Sequence, residues 1–276
     1  MNPAVLDARQ PGPGGLALAF AAARSRLGLV ACLFVLAGVG WWLTADRMDG
    51  MDDGPWTALG TLGWFLASWI VMMAAMMFPS VAPTVALYAR MTRARAPGAP
   101  WLFTAGYLLM WGAVGALAFG VAAAGSAVAG DALAWDRAGR SVAGATLLAA
   151  AVYELTPLKD VCLGRCRSPL GTLLTSWRDG LTGALRMGAG HGAWCIGCCW
   201  ALMASLFALG LMSVAWMAFV AAIIAAEKTV PWRPLATYGA ASLLAVLGLL
   251  LLVAPDAIPG LTLPSRDAMP AIGDMA

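Results

Sequence analysis

Charge is what this sequence has least of. Of its 276 residues only 11% are Asp, Glu, Lys or Arg, where a soluble globular protein carries roughly 25%. Histidine occurs once. A chain so poor in charge is not a soluble enzyme, and it is not a disordered regulator, which needs charge to stay solvated. The 17 Lys+Arg against 14 Asp+Glu leave a net charge of +3, too little over this length for a nucleic-acid-binding patch. Six cysteines in so long a chain do not make a secreted disulfide scaffold. A single histidine cannot build a multi-histidine haem-copper or di-iron site, and neither a Ser/His/Asp set nor a P-loop is evident.

What is abundant is apolar surface. Hydrophobic residues make up 61% of the chain, and the mean hydropathy is +0.80. A membrane span takes about 20 apolar residues. The expected fold is therefore all-α, a polytopic transmembrane helix bundle. It forms one domain over residues 27–254, between a flexible N-terminal tail at 1–26 and a flexible C-terminal tail at 255–276. No cleavable signal peptide is evident, so the first helix reads as uncleaved. Seven candidate spans follow: Leu27–Thr44, Ala58–Phe78 (ended by Pro79), Trp101–Gly125, Val142–Leu155, Ala189–Ala208, Val214–Ala226 and Leu235–Val253. The count falls to six if the fifth and sixth are one helix.

Orientation follows from the basic residues. With the N-terminus inside, the inner segments hold 13 Lys and Arg, and the outer segments hold Arg47, Arg137, Arg140 and Arg266. Asp46, Asp49, Asp52 and Asp53 all fall in the first outer loop. This split satisfies the positive-inside rule, and the reverse orientation violates it. Most of these arginines read as topology signals.

The same orientation collects the unusual residues in the inner leaflet. Met72 and Met76 share a helix face, as do Met73 and Met77, each pair four apart. Thioether sulfur is a soft ligand suited to Cu(I), although methionine also fills gaps in apolar cores. Glu154 falls in the last turn of the fourth span, where an unpaired carboxylate is costly. Cys162 and Cys166 follow, with Arg165 and Arg167 beside them to favour thiolate. In the fifth span His191, Cys195 and Cys199 form a stripe with Cys198 alongside, amid Gly188, Gly190, Gly192 and Gly197. Such small residues let another helix pack close, or let the backbone bend round a bound group. Glu227 and Lys228 close the sixth span, either as an interfacial pair with Lys228 snorkelling or with Glu227 facing the same cluster. Only Cys32 stands apart from the other cysteines.

The segments MMAAMMFPS, YELTPLKDVCLGRCRSPL, GHGAWCIGCCWALM and EKTVPW, in this order, resemble a bacterial family of metal-binding integral membrane proteins, domain of unknown function 2182. The resemblance covers roughly residues 58 to 234. It implies a multi-pass protein of the bacterial inner membrane with a metal-binding role. Its signature positions fall here on Met72, Met73, Met76, Met77, Pro79, Glu154, Cys162, Cys166, Cys195, Cys198, Cys199, Glu227 and Lys228.

Two chemistries fit these residues. The first is metal handling, with copper(I) favoured by the thiols and the methionine quartet. Zinc is the other candidate, since Cys162, Cys166 and Cys195 with Cys199 or His191 could supply its four ligands. The expected partners are the lipid bilayer, the metal ion, and a metal chaperone or partner membrane protein, with no nucleic acid. The second chemistry is thiol–disulfide exchange through the CxxC of Cys195 and Cys198. A scaffold whose polar stripe only fixes helix packing is the third reading. A single shared site requires a sulfur of Cys162 or Cys166 within ~5 Å of Cys195 or Cys199.

Overall fold

The structure, a computed structural model, describes residues 24, 26–48, 61–93, 96–129, 140–209, 214–230 and 232–254. Among them there are helices and no strands. In chain order these are α1 (Leu27–Met48), α2 (Leu62–Thr92), α3 (Ala99–Ala129), α4 (Arg140–Glu154), α5 (Pro157–Arg167), α6 (Pro169–Thr175), α7 (Gly180–Leu209), α8 (Val214–Thr229) and α9 (Arg233–Val253). The two tails, apart from residues 24 and 26, and the break between the fifth and sixth candidate spans at 210–213 lie outside the described residues.

Five helices, α1, α2, α3, α7 and α9, are long and apolar enough to cross a membrane, and α4 with α5 makes a sixth such segment bent by 69°. The fifth and sixth candidate spans are separate helices, α7 and α8. At 16 residues, α8 is only about 24 Å long, short of the roughly 30 Å hydrocarbon core. The described residues thus hold five such helices, or six spans if the bent pair α4 and α5 is one span, a route to six that the hydropathy pattern did not suggest. Large apolar side chains cover the outward faces of α1 (Phe34, Trp42), α3 (Leu109, Leu117) and α9 (Val246, Val253). That is the surface a lipid-facing bundle presents.

Two boundaries differ from the sequence reading, and both move the candidate site. Pro79 does not end the second span, because α2 continues through Pro79 and Pro83 to Thr92. Each proline removes one backbone donor, but packed neighbours and hydroxyls in a bundle can satisfy the freed groups. Between the two prolines the Ser80 hydroxyl donates to the Met77 carbonyl at 2.9 Å, adding a side-chain bond to that stretch of helix. The fifth span begins at Gly180, not Ala189. Gly180 takes φ +80°, a conformation open to glycine at little cost, so the chain can enter the helix nine residues early. The methionine quartet and the α7 thiols therefore sit well inside long helices and not at their inner ends.

Small residues set the helix crossings. A Cβ at Gly106 would strike the Leu185 carbonyl, and one at Gly188 would strike the Phe103 carbonyl. The backbones of α3 and α7 thus touch directly. Gly248 of α9 approaches the Gly144 carbonyl of α4 in the same way, with 3.0 Å from its virtual Cβ. Between α2 and α3 the Trp69 indole donates to the Trp111 carbonyl at 2.8 Å. The core between these helices is made by Met73, Met77, Phe103, Tyr107, Trp111 and Leu202.

Gly188→Ala has no flexible atom to push aside and must separate α3 from α7. We expect a loss of about 1–3 kcal/mol or more, read as a lowered midpoint in thermal unfolding of the detergent-solubilised protein. Gly190→Ala meets nothing within 4 Å. It should leave the midpoint unchanged or raise it, since alanine favours the helix by about 1 kcal/mol. Equal effects at the two positions would refute the close crossing.

Candidate metal centre

The centre is assembled by α5, α7 and α8. Thr156 caps α5, its hydroxyl accepting from the Lys159 amide at 3.4 Å, and Pro157 occupies the first turn. Both are strong helix-start choices. With α5 helical, Cys162 and Cys166 stand one turn apart on one face. That face lies against α7.

The thiol sulfurs of Cys166, Cys195 and Cys198 all lie within 4.8 Å of one another. Cys195 and Cys198 are buried, and Cys166 is half-buried. The Cys198 and Cys166 sulfurs are 3.7 Å apart. Cys166 and Cys195 thus meet the proximity that a shared site requires. The other cysteines stand beside this group. The Cys199 thiol donates to the Cys195 carbonyl at 2.9 Å. Cys162 packs on Gly197, where a Cβ would come 2.7 Å from its sulfur. That glycine of the CIGC segment makes the room for α5. Cys32 of α1 is half-buried.

His191 lies one turn before Cys195. It is buried between the rings of Phe103 and Tyr107, at centroid distances of 5.9 and 6.1 Å. Its Nδ1 has no hydrogen-bond partner among the described residues. An unpaired buried nitrogen costs roughly 1–3 kcal/mol. Met72, Met73, Met76 and Met77 are all buried. On the same helix Ser80, one turn beyond Met76, bonds the Lys228 ammonium that lies at the thiols.

The cation at the thiols is not the one expected. Arg165 lies over the Trp194 ring at 5.1 Å. Arg167 is buried and donates to the carbonyls of Glu227 and Val230, at 2.8 and 2.5 Å. Arg167 is thus a clasp between α5 and the end of α8. Lys228 takes the place beside the thiols. It turns inward, donating to the Cys195 sulfur at 3.2 Å and to the Ser80 hydroxyl at 3.1 Å. Tyr107 completes the surroundings, with its hydroxyl 3.1 Å from the Cys195 sulfur. Tyr107 went unnoticed in the sequence. Its signal was a phenol in mid-run of an apolar segment, since a buried hydroxyl needs a partner.

The two glutamates do not join the thiol group. Both converge on Lys159, whose ammonium bonds Glu154 and both carboxylate oxygens of Glu227, at 2.7 and 2.8 Å. All three side chains are buried. Lys159, counted among the inner positive charges, is a structural ion here. With Arg167 alongside, two acids face two bases, so this second cluster is near neutral and ties α4, α5 and α8 together.

Removing the central cation leaves two buried carboxylates uncompensated. Lys159→Met should cost about 3–5 kcal/mol, visible as loss of the folded detergent-solubilised protein. The triple change of Lys159→Met, Glu154→Gln and Glu227→Gln should recover much of it. A Lys159→Met protein as stable as the parent would refute the triad.

Comparison with known proteins adds one match, since no curated protein and no solved structure matches the chain. A family model described as PpoB2, copper chaperone, matches residues 66–251. That stretch runs from α2 to the end of α9 and takes in the three thiols, Lys228 and the Lys159 triad. The chain belongs to the PpoB2 copper chaperone family.

Proposed function

We propose that this chain is a multi-pass protein of the bacterial inner membrane that binds Cu(I) at Cys166, Cys195 and Cys198 and delivers it to a partner protein. The observation that carries this reading is the convergence of three thiols within 4.8 Å. Thiolates select soft ions such as Cu(I) and Zn(II). A structural zinc site takes four N or S ligands, and this set offers three. Copper is therefore favoured. Lys228 offsets part of the negative charge that a thiolate-bound Cu(I) carries. His191 and Cys199 border the set on α7, and the buried methionines of α2 supply further soft sulfur to an ion approaching from that side. The resemblance to domain of unknown function 2182 points to the same class of metal-binding membrane protein.

A second reading has one observation in its favour. Cys166 and Cys198 are 3.7 Å apart, close enough to oxidise to a disulfide after a small shift. The chain would then be a membrane thiol–disulfide oxidoreductase. A scaffold without metal or redox chemistry is the reading left if neither behaviour is found.

One experiment separates them. The protein is purified anaerobically in detergent, titrated with Cu(I) or Zn(II) against a competing chelator, and analysed for bound metal. We expect one tightly held copper per chain. Cys195→Ser or Cys198→Ser should weaken binding by more than the roughly 10–100-fold that loss of a supporting partner costs, and Lys228→Gln should fall inside that range. Copper should be released as the pH falls, because bound thiolates must take up protons to become free thiols. Stoichiometric zinc with no copper, or copper retained in every cysteine variant, overturns the proposal. A metal-free protein whose thiols cycle at a defined potential establishes the second reading.

A further inference from the structure

A second feature lies away from the thiols, where α1 and α3 begin and α2 ends. These three helix ends surround an open cavity of about 140 Å³ lined by Arg26, Leu29, Ala89, Arg93 and Trp101, among others. A water molecule takes roughly 30 Å³, so the space accepts a phosphate group with part of its hydration. Arg26 is half-buried, and it donates from one Nη to the Ala89 carbonyl at 3.0 Å. That bond fixes the guanidinium plane and leaves its remaining donors for the cavity. Arg93 is exposed, and among the described residues neither arginine forms an ion pair. Trp101 is 47% exposed at the rim.

We propose that this cavity binds the phosphate of an anionic phospholipid head group. Two guanidiniums converging from different helices match phosphate oxygens better than any neutral head group. An exposed tryptophan at the end of an apolar helix is the usual anchor at headgroup depth. The orientation read from the charge distribution puts Arg26 and Arg93 on the inner side. Basic pockets between membrane helices on that side take anionic lipid heads. Leu29 and the exposed Leu27 continue the rim into an apolar helix face along which an acyl chain can lie. This inference does not depend on the metal reading.

The test uses the full-length protein in neutral detergent, mixed with phosphatidylglycerol or phosphatidylcholine, with retained lipid counted by native mass spectrometry. The parent should keep one phosphatidylglycerol per chain in preference to phosphatidylcholine. Arg93→Gln should weaken retention about fivefold, and Arg26→Gln with Arg93→Gln about 25-fold, at the usual strength of one basic residue near an anionic surface. Arg93 makes no side-chain bond that the fold needs, so the single variant should keep its helical circular dichroism. Arg90→Gln changes an exposed arginine in the last turn of α2, outside the cavity, and should bind like the parent. Equal retention of the two lipids overturns the proposal, as does Arg93→Gln binding like the parent. Displacement of the lipid by inorganic phosphate at equal concentration would mark a free-anion pocket and overturn the lipid assignment. Retained lipid under that competition supports it.

Discussion

The candidate copper site rests on an ion cluster that contains none of its ligands. Lys159 sits buried between Glu154 and Glu227. In a medium without water, such charges are tolerated only when each meets its counter-charge. That requirement fixes geometry. Glu154 ends α4, Lys159 lies in the first turn of α5, and Glu227 lies near the end of α8. Satisfying all three charges at one point therefore sets where α5 and α8 stand. Cys166 and Lys228 inherit that placement. Cys166 is on α5, almost two turns beyond Lys159, and Lys228 follows Glu227 directly. When the triad closes, Cys166 comes to the α7 thiols and the Lys228 ammonium comes to Cys195.

Two adjacent charge systems thus have different tasks. Around Lys159 acid and base balance, and the carboxylates are spent on the protein itself. At the thiols the fixed charge is one ammonium, with the neutral hydroxyls of Tyr107 and Ser80 beside it. A set of sulfurs with no carboxylate among them suits a soft monovalent ion better than a hard one. Had the glutamates joined the thiols, the mixed set would have been harder and closer to a zinc site. The separation is a consequence of one lysine capturing both acids.

Much of this was legible in the sequence, and what was not has physical causes. The bundle, the helical CxxxC of α5 and the α7 stripe all follow from hydropathy and helical periodicity. Helix ends were harder. The stretch after Gly180 is weakly hydrophobic and interrupted by Arg186, so its helical start is hard to read from hydropathy, and a proline in a packed bundle does not stop a helix as it does in water. Partner choice was hardest. Arg165 and Arg167 adjoin Cys166 in sequence, yet their long side chains leave it for Trp194 and the α8 carbonyls. The cation that reaches Cys195 comes from 33 residues away. Sequence neighbours on a helix diverge by about 100° per residue, so adjacency is poor evidence for a contact. The glutamates illustrate the same limit. Their cost in the membrane was evident, but which of the two nearby lysines would meet it was decided by the bend between α4 and α5.

That bend also explains why the thiols are divided as they are. Cys195 and Cys198 belong to a 30-residue helix held backbone to backbone against α3 through Gly106 and Gly188, so their positions are fixed by the densest crossing in the bundle. Cys166 belongs to an 11-residue helix attached through the break at 155–156. Its other fastenings include the Lys159 triad, the Arg167 clasp, Arg165 over the Trp194 ring and the contact of Cys162 with Gly197. A trio of thiols split between a rigid frame and a short clasped helix has one member whose position depends on electrostatics and two whose positions depend on packing. Changes in the ion cluster therefore act on Cys166 first, without touching the frame. In the proposed Cu(I) site, Cys166 would be the sulfur whose withdrawal lowers the coordination of the ion while leaving Cys195 and Cys198 in place.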